Sequence, residues 1–217
     1  MKRNINILIL FLLIMSAVII LSNVNINLPG NNQGYAPEQP IAFSHRVHSG
    51  DLKMDCLYCH SDADKSRHAG IPSGSICMNC HQFVTSSWDK QKIEEQNAVK
   101  EKRDISIIVS EEIAKIHKLT GFNSETMKYD SSLIRKPIEW IRIHQVPDVV
   151  YFPHLRHVNA GVVCQNCHGP VETMEKVKQV EELSMAWCVD CHRDVNSGEL
   201  KEYKGLQASI DCGGCHF

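Results

Sequence analysis

The chain has 217 residues, with 23 basic and 25 acidic side chains and a formal net charge of −2. It carries no long basic tract, so nothing in it points to a nucleic-acid partner. Aromatic residues make up only 6% of the chain, so a core built of protein alone is thin for this length, and something other than side chains is expected to fill it.

The first element in chain order is an apolar run from Ile5 to Val24, INILILFLLIMSAVIILSNV, preceded by Lys2 and Arg3. A run of about 20 residues is long enough to span a bilayer. No convincing small-x-small cleavage site follows it, and there is no cysteine for lipid attachment. The Lys2–Arg3 flank holds the N-terminus in the cytoplasm and sends the remainder across. Residues 1–25 therefore read as a retained transmembrane anchor in the inner membrane, with a cleaved signal as the alternative. Either way the rest is exported to the periplasmic side. Residues 26–40, rich in Asn, Gly and Pro, read as a linker.

Beyond the linker the ten cysteines dominate. They form five C-x-x-C pairs: Cys56/Cys59, Cys77/Cys80, Cys164/Cys167, Cys188/Cys191 and Cys212/Cys215. Each pair is followed at once by histidine: His60, His81, His168, His192 and His216. A single match has a chance of about one in eighteen, so five of five by accident is on the order of one in a million or less, against a known haem-attachment pattern. The physical reason for the pattern is reach. Two thiols three residues apart can add to the two vinyl groups of one porphyrin, and the next residue offers an imidazole to the iron. Zinc ribbons use two such pairs per metal and give no reason for a histidine after every pair. Disulfides within such pairs close tiny loops of little stabilising value. A thioredoxin-like site occurs once, in a βαβ setting absent here. Five covalent c-type haems are the expectation.

The motifs fall into two similar groups. Phe43-Ser-His45-Arg-Val-His48 precedes the first two motifs, and Phe152-Pro-His154-Leu-Arg-His157 precedes the third and fourth. Both read F-x-H-x-x-H, a sign of internal duplication. The expected organisation is a di-haem module over 41–81, a helical insertion over 82–140 and a tri-haem module over 141–217. In the insertion, Ser87 to Arg103 suits an exposed charged helix. Ile105, Ile108, Val109, Ile113 and Ile116 recur at helical spacing, with Gly121 as a C-cap.

The sixth position on each iron decides function: open, it binds small molecules; filled by a second strong ligand, it carries electrons. Seven histidines lie outside the motifs. His45, His48, His154 and His157 of the F-x-H-x-x-H units are the first candidates for sixth ligands, followed by His68 and His144. His117, on the edge of the amphipathic helix, reads as a packed or exposed histidine. Met185 is held in reserve as an axial ligand, a core methionine being the simpler reading. Six histidines near five attachment sites suffice to close every iron, so the expectation is electron transfer, with no catalytic residues in this chain. Five macrocycles on about 190 residues must lie close together and form much of the core.

These motifs resemble the class III multihaem cytochromes (c3/c7-like), whose hallmark is F-x-H-x-x-H before C-x-x-C-H. More closely, SRHAGIPS leading to CMNCH, EWIRIHQVPDVVYFPHLRHV, CQNCHGPVETMEKV, LSMAWCVDCHR and the terminal CGGCHF are similar to the pentahaem, membrane-anchored cytochrome subunit of alternative complex III. The resemblance runs from about Phe43 to the end. It implies a mainly α fold with much irregular loop, a haem-dominated core and one N-terminal transmembrane helix. It also implies iron–sulfur and polytopic membrane partners that oxidise quinol, and a monohaem cytochrome c or terminal oxidase as acceptor in a respiratory chain. Two rivals are a relay for another quinol dehydrogenase or periplasmic reductase, and a multihaem oxyanion reductase. The reductase would need one open haem, often with lysine in place of a motif histidine, which no motif here has.

Overall fold

The structure, a computed structural model, describes residues 9–16, 18 and 31–216. Of the expected anchor it covers only 9–16 and 18, which are helical and exposed; the rest of that segment, and with it the anchor expectation, lies outside the described residues. Among the described residues no helix is long and apolar enough to cross a membrane.

The fold is mainly helical with long irregular connections. A π-wound turn, Arg46–Asp51, follows His45. Then come α1 (Cys56–Cys59), α2 (Gly74–His81), α3 (Trp88–Glu101) and α4 (Glu111–Thr120). A two-stranded antiparallel hairpin, β1 (Phe122–Asn123) and β2 (Lys128–Tyr129), leads into α5 (His154–Asn159), α6 (Gln165–His168) and α7 (Met185–Ser197). Short 3-10 turns lie at Val171–Thr173, Lys201–Tyr203 and Cys212–Gly214. Each attachment motif thus sits on a helical segment or turn, where two cysteines three apart fall on neighbouring positions of one side.

The insertion forms two helices, but the second begins later than its apolar spacing suggests. Residues 105–109 are extended, and α4 starts after Ser110. Tertiary hydrogen bonds explain the difference. Thr85 Oγ1 donates to the Ile108 carbonyl at 2.7 Å, the Ser110 amide donates to the Thr85 carbonyl at 2.8 Å, and the Ser106 amide donates to Glu94 Oε1 at 2.8 Å. Those backbone groups are bound elsewhere and are not free for a helix. Gly121 ends α4 in the left-handed conformation at φ +73°, as a C-cap glycine does.

One small apolar cluster anchors the insertion to the second motif: Ile41, Met78 of α2, Ile116 of α4 and Phe122 of β1. In the whole described chain only eight apolar side chains are buried, and just two, Met174 and Tyr203, lie beyond residue 141. The C-terminal module therefore has almost no protein core, as the low aromatic content foreshadows. One glycine marks a close approach. A Cβ on Gly50 would collide with the Glu172 carbonyl oxygen, where the N-terminal π-wound turn meets the turn at Val171–Thr173. Next to it the Arg46 amide donates to the Met174 carbonyl at 3.0 Å and Arg46 Nε to Glu175 at 2.5 Å. The expected linker is also tied down from Asn31 onwards. The Gly34 amide donates to the Gln179 carbonyl at 2.7 Å, and the fully buried Gln179 returns its amide to Tyr35 at 3.1 Å.

Glu94 gives the insertion a pH dependence. Its carboxylate is held down to about 2 by the Arg103 guanidinium first and the Ser106 amide next. A carboxyl whose folded value lies below its unfolded one adds stability above the unfolded value and loses it on acidification. Thermal unfolding should therefore show an acid-sensitive phase as pH falls from 4.5 towards 2, and Glu94→Gln should flatten that phase. An unchanged acid limb in Glu94→Gln would contradict this.

Candidate haem-binding site

The ten motif cysteines do not all lie in an interior, as a haem-dominated core leads one to expect. Cys80 is exposed, as are Cys164, Cys191 and Cys212, while Cys56, Cys59, Cys77, Cys167, Cys188 and Cys215 are half-buried. Cys80 is the plainest case of an outward-facing motif thiol. The reason is the helix that carries it. α2 turns Met78 into the apolar cluster, with Cys77 packed against it. Cys80 follows Met78 by two residues, which is about 200° of rotation at 3.6 residues per turn. It therefore points away from the cluster, in the last turn of the helix. Burial raises the Cys77 thiol, so the two thiols of the second motif sit in unlike surroundings. Cys80 stays next to His81, and a thiol on an open face is free to form a thioether.

The histidines divide by how their ring nitrogens are used. His60 Nδ1 faces the Gly70 carbonyl at 2.7 Å, His81 that of Val84 at 2.8 Å, His192 that of Ser209 at 2.5 Å and His216 that of Val149 at 3.3 Å. Outside the motifs, His48 faces Ser44 at 2.8 Å, His154 faces Arg67 at 2.9 Å and His157 faces Pro153 at 3.0 Å in the same way. A carbonyl oxygen only accepts, so each of these Nδ1 atoms carries the proton. In a neutral imidazole that leaves Nε2 as a bare lone pair, ready for a metal.

His117 is wired the other way round. Its Nε2 lies 2.8 Å from the His81 carbonyl, so Nε2 is the donor, and its Nδ1 accepts from the Ser124 hydroxyl at 2.8 Å. It is fully buried against Phe122. Both nitrogens are occupied, so His117 is a packed histidine that ties α4 to the second motif, as the simpler sequence reading has it.

Three motif histidines meet a partner ring. His48 and His81 have ring centres 6.1 Å apart, His157 and His192 6.1 Å, and His154 and His168 6.3 Å, the last two pairs near-parallel. Two imidazoles facing each other across one metal ion, each bound through nitrogen at about 2 Å, have ring centres about 6 Å apart. The donor set therefore fits a haem iron held between two histidines. Among the described residues no three or more His, Cys, Asp or Glu side chains converge as a bare-metal site requires. All ten cysteines are free of disulfides.

The remaining candidates are less completely paired. His45 lies beside His60, and burial pushes it down to about 4, with His60 and His48 contributing; its Nδ1 is buried without a partner. His144 is likewise pushed down to about 4 by burial and then by His154, and its Nε2 is buried without a partner. Its ring packs edge-on against His168 at 4.3 Å, too close to face it across an ion. His168 is pushed down to about 3, by burial first and then by the surrounding histidines. Orphaned ring nitrogens in a buried cluster are costly unless something fills the space. His68 lies exposed on the loop after the first motif. Its neighbour Arg67 stacks over Tyr151 at 4.5 Å and donates to the Val150 carbonyl at 3.1 Å, and Val150 bridges to His216. Among the described residues no ring stacks on His216. Met185 opens α7 and is 66% exposed, facing solvent and not the site.

Local sequence explains the placements. Pro153 starts α5, so His154 and His157 fall one turn apart on one face. The first F-x-H-x-x-H unit differs: a π-wound turn carries His48, with Lys53 after it at φ +56°. Gly169, directly after His168, sits at φ +69°, and a Cβ there would lie 2.6 Å from Val180 Cγ2. Ser184 caps α7 by accepting from the Trp187 amide at 3.2 Å. Sequence reasoning gave His117 no role; a histidine near the end of a charged helical insertion carries no visible signal of its bond to the His81 carbonyl.

These features fit the class of multihaem c-type cytochromes, with cysteine pairs and histidines placed to hold covalently bound haems. Comparison with known proteins agrees. Residues 150–217 match the family model described as cytochrome c7 and related cytochrome c. The chain is also 30% identical over 158 residues to the menaquinone reductase, multiheme cytochrome c subunit, of Nitratidesulfovibrio vulgaris (strain Hildenborough), covering 73% of this chain and 53% of that relative. The chain thus spans about half the length of the curated relative it matches.

Removing the His117 bond should be felt at the second motif. His117→Leu leaves the buried His81 carbonyl unpaired, at about 1–3 kcal/mol. Thermal unfolding of the haem-loaded protein should show that loss, and an unchanged midpoint would contradict it.

Proposed function

We propose that the protein is a pentahaem electron-relay subunit of a membrane quinone-linked complex of the alternative complex III type, acting on the periplasmic side of the inner membrane. The observation that carries the reading is the set of facing histidine pairs near 6 Å, His48/His81, His154/His168 and His157/His192, in which His48, His81, His154, His157 and His192 have their Nδ1 atoms fixed on backbone carbonyls. Covalently bound haem supplies one-electron chemistry at each motif.

The chain's own residues do the rest. Cys56/Cys59, Cys77/Cys80, Cys164/Cys167, Cys188/Cys191 and Cys212/Cys215 fix five groups by thioether bonds. His60, His81, His168, His192 and His216 would each offer one nitrogen to the iron of the group their motif holds. His45, His48, His68, His144, His154 and His157 are the pool from which the opposite nitrogen comes, with Met185 left out by its exposure. Backbone carbonyls of Gly70, Val84, Ser209, Val149, Ser44, Arg67 and Pro153 hold the rings in the ligating tautomer. Two strong axial ligands leave no open position for substrate, so the chain relays and does not catalyse alone.

The relative's printed name, a menaquinone reductase subunit, favours a second reading in which electrons pass towards quinone. Iron–sulfur and polytopic partners suit both readings, and purification of the native complex separates them. Subunits that reduce cytochrome c or oxygen at the expense of quinol support the first reading; subunits that reduce menaquinone from a periplasmic donor replace it with the second.

Two tests address the subunit itself. Intact mass should equal the polypeptide plus five haems, resistant to acid–acetone extraction, and the wild type should bind no carbon monoxide. His154→Ala should keep five haems and gain one carbon monoxide site. A wild type that binds carbon monoxide stoichiometrically would overturn the relay-only reading. N-terminal sequencing of the mature protein should give a start within the first three residues, as a retained anchor requires; a start between Ser22 and Asn32 would replace the anchor by a cleaved signal.

A further inference from the structure

The motifs do not lie in space in their order along the chain. The second touches the first: Asn79, inside the second motif, donates to the hydroxyl of Tyr58, inside the first, at 3.0 Å. The surroundings of the first motif in turn meet those of the third: a Cβ on Gly50 would collide with the Glu172 carbonyl oxygen. Helix α5 is laid on the loop after the first motif: the Leu155 amide donates to the Ser66 carbonyl at 3.0 Å, and Asn159 Nδ2 to the Asp64 carbonyl at 3.2 Å.

The third motif joins the fourth through α5 itself, whose His154 and His157 face His168 and His192. Asn166 of the third motif donates to the Tyr203 hydroxyl at 2.9 Å. The fourth motif reaches the fifth through Ser209: its carbonyl accepts from His192 Nδ1 at 2.5 Å, and its hydroxyl lies 2.7 Å from where a Cβ on Gly214 would sit. Among the described residues, no hydrogen bond or ring contact joins the second motif to the third, fourth or fifth.

We propose that the five haem-bearing motifs form a single line in the order second, first, third, fourth, fifth, so that the second and fifth are the two ends at which electrons are exchanged with partners. The order follows from the duplication. Each F-x-H-x-x-H unit serves two motifs, and the two units meet back to back through their leading motifs, at the Gly50–Glu172 approach and along α5. The line therefore crosses from one module to the other at the first and third motifs. This rests on the five-haem reading above.

A structure of the haem-loaded protein by crystallography or cryo-electron microscopy reads the order directly. The expected nearest-neighbour pairs are second–first, first–third, third–fourth and fourth–fifth. A line in chain order, or the second motif beside the third, would overturn the proposal. Potentiometry with site variants gives an independent reading. His48→Met, acting at an end, should disturb the reduction potential of one neighbouring haem; His154→Met, acting in the interior, should disturb two. Two disturbed neighbours for His48→Met would again overturn the order. A haem count below five would instead bring down the reading on which the order rests.

Discussion

A neutral imidazole has two nitrogens and one proton, and the position of that proton decides whether the ring can bind a metal through Nε2. In this chain a backbone carbonyl placed against Nδ1 makes the choice at seven histidines. The fold is largely a means of delivering those carbonyls. Arg67, on the loop after the first motif, presents its carbonyl to His154; Ser209, ahead of the fifth motif, presents its own to His192; Val149 serves His216. Each of these three bonds crosses from one motif's surroundings to another's, so selecting a tautomer and assembling the chain are the same event.

The second constraint is the near absence of a protein core in the C-terminal module. With Met174 and Tyr203 as its only buried apolar side chains among the described residues, burial of side chains supplies little of the driving force that a domain of this size needs. The insertion is the contrast. It has a true apolar cluster around Ile116 and Phe122, an ion pair between Arg103 and Glu94 at 2.5 Å and a histidine, His117, used only for packing. It reads as a buttress for the second motif, built of ordinary protein where the rest of the molecule relies on its prosthetic groups.

The attachment motifs were legible because thioether chemistry needs both cysteines and the histidine adjacent in sequence. Their surroundings were not: that Cys77 packs on the apolar cluster while Cys80 faces outwards depends on which side of α2 meets α4. The F-x-H-x-x-H spacing was legible as a way to set two histidines on one side, since one helical turn brings i and i+3 together, and α5 does this with His154 and His157. What sequence could not carry were the long-range bonds. Nothing local shows that His117 donates to His81, or that residues 105–109 give their backbone groups to Thr85 and Glu94 and so stay out of the helix that their apolar spacing suggests. Nor does spacing show that the surroundings of the first and third motifs meet: the Gly50–Glu172 approach depends on how two similar units pack. Met185, whose simpler sequence reading is a core methionine, is instead 66% exposed in the first turn of α7.

The central claim is that imidazole closes the irons on both sides, because the chain fixes the required tautomer in advance. Near-infrared magnetic circular dichroism of the fully oxidised, haem-loaded protein tests it most directly, since the position of the charge-transfer band distinguishes paired histidine ligation from histidine–methionine and from high-spin iron. The account predicts only the paired-histidine band, integrating to every haem in the chain. A histidine–methionine band, or a high-spin signal from even one haem, would contradict it.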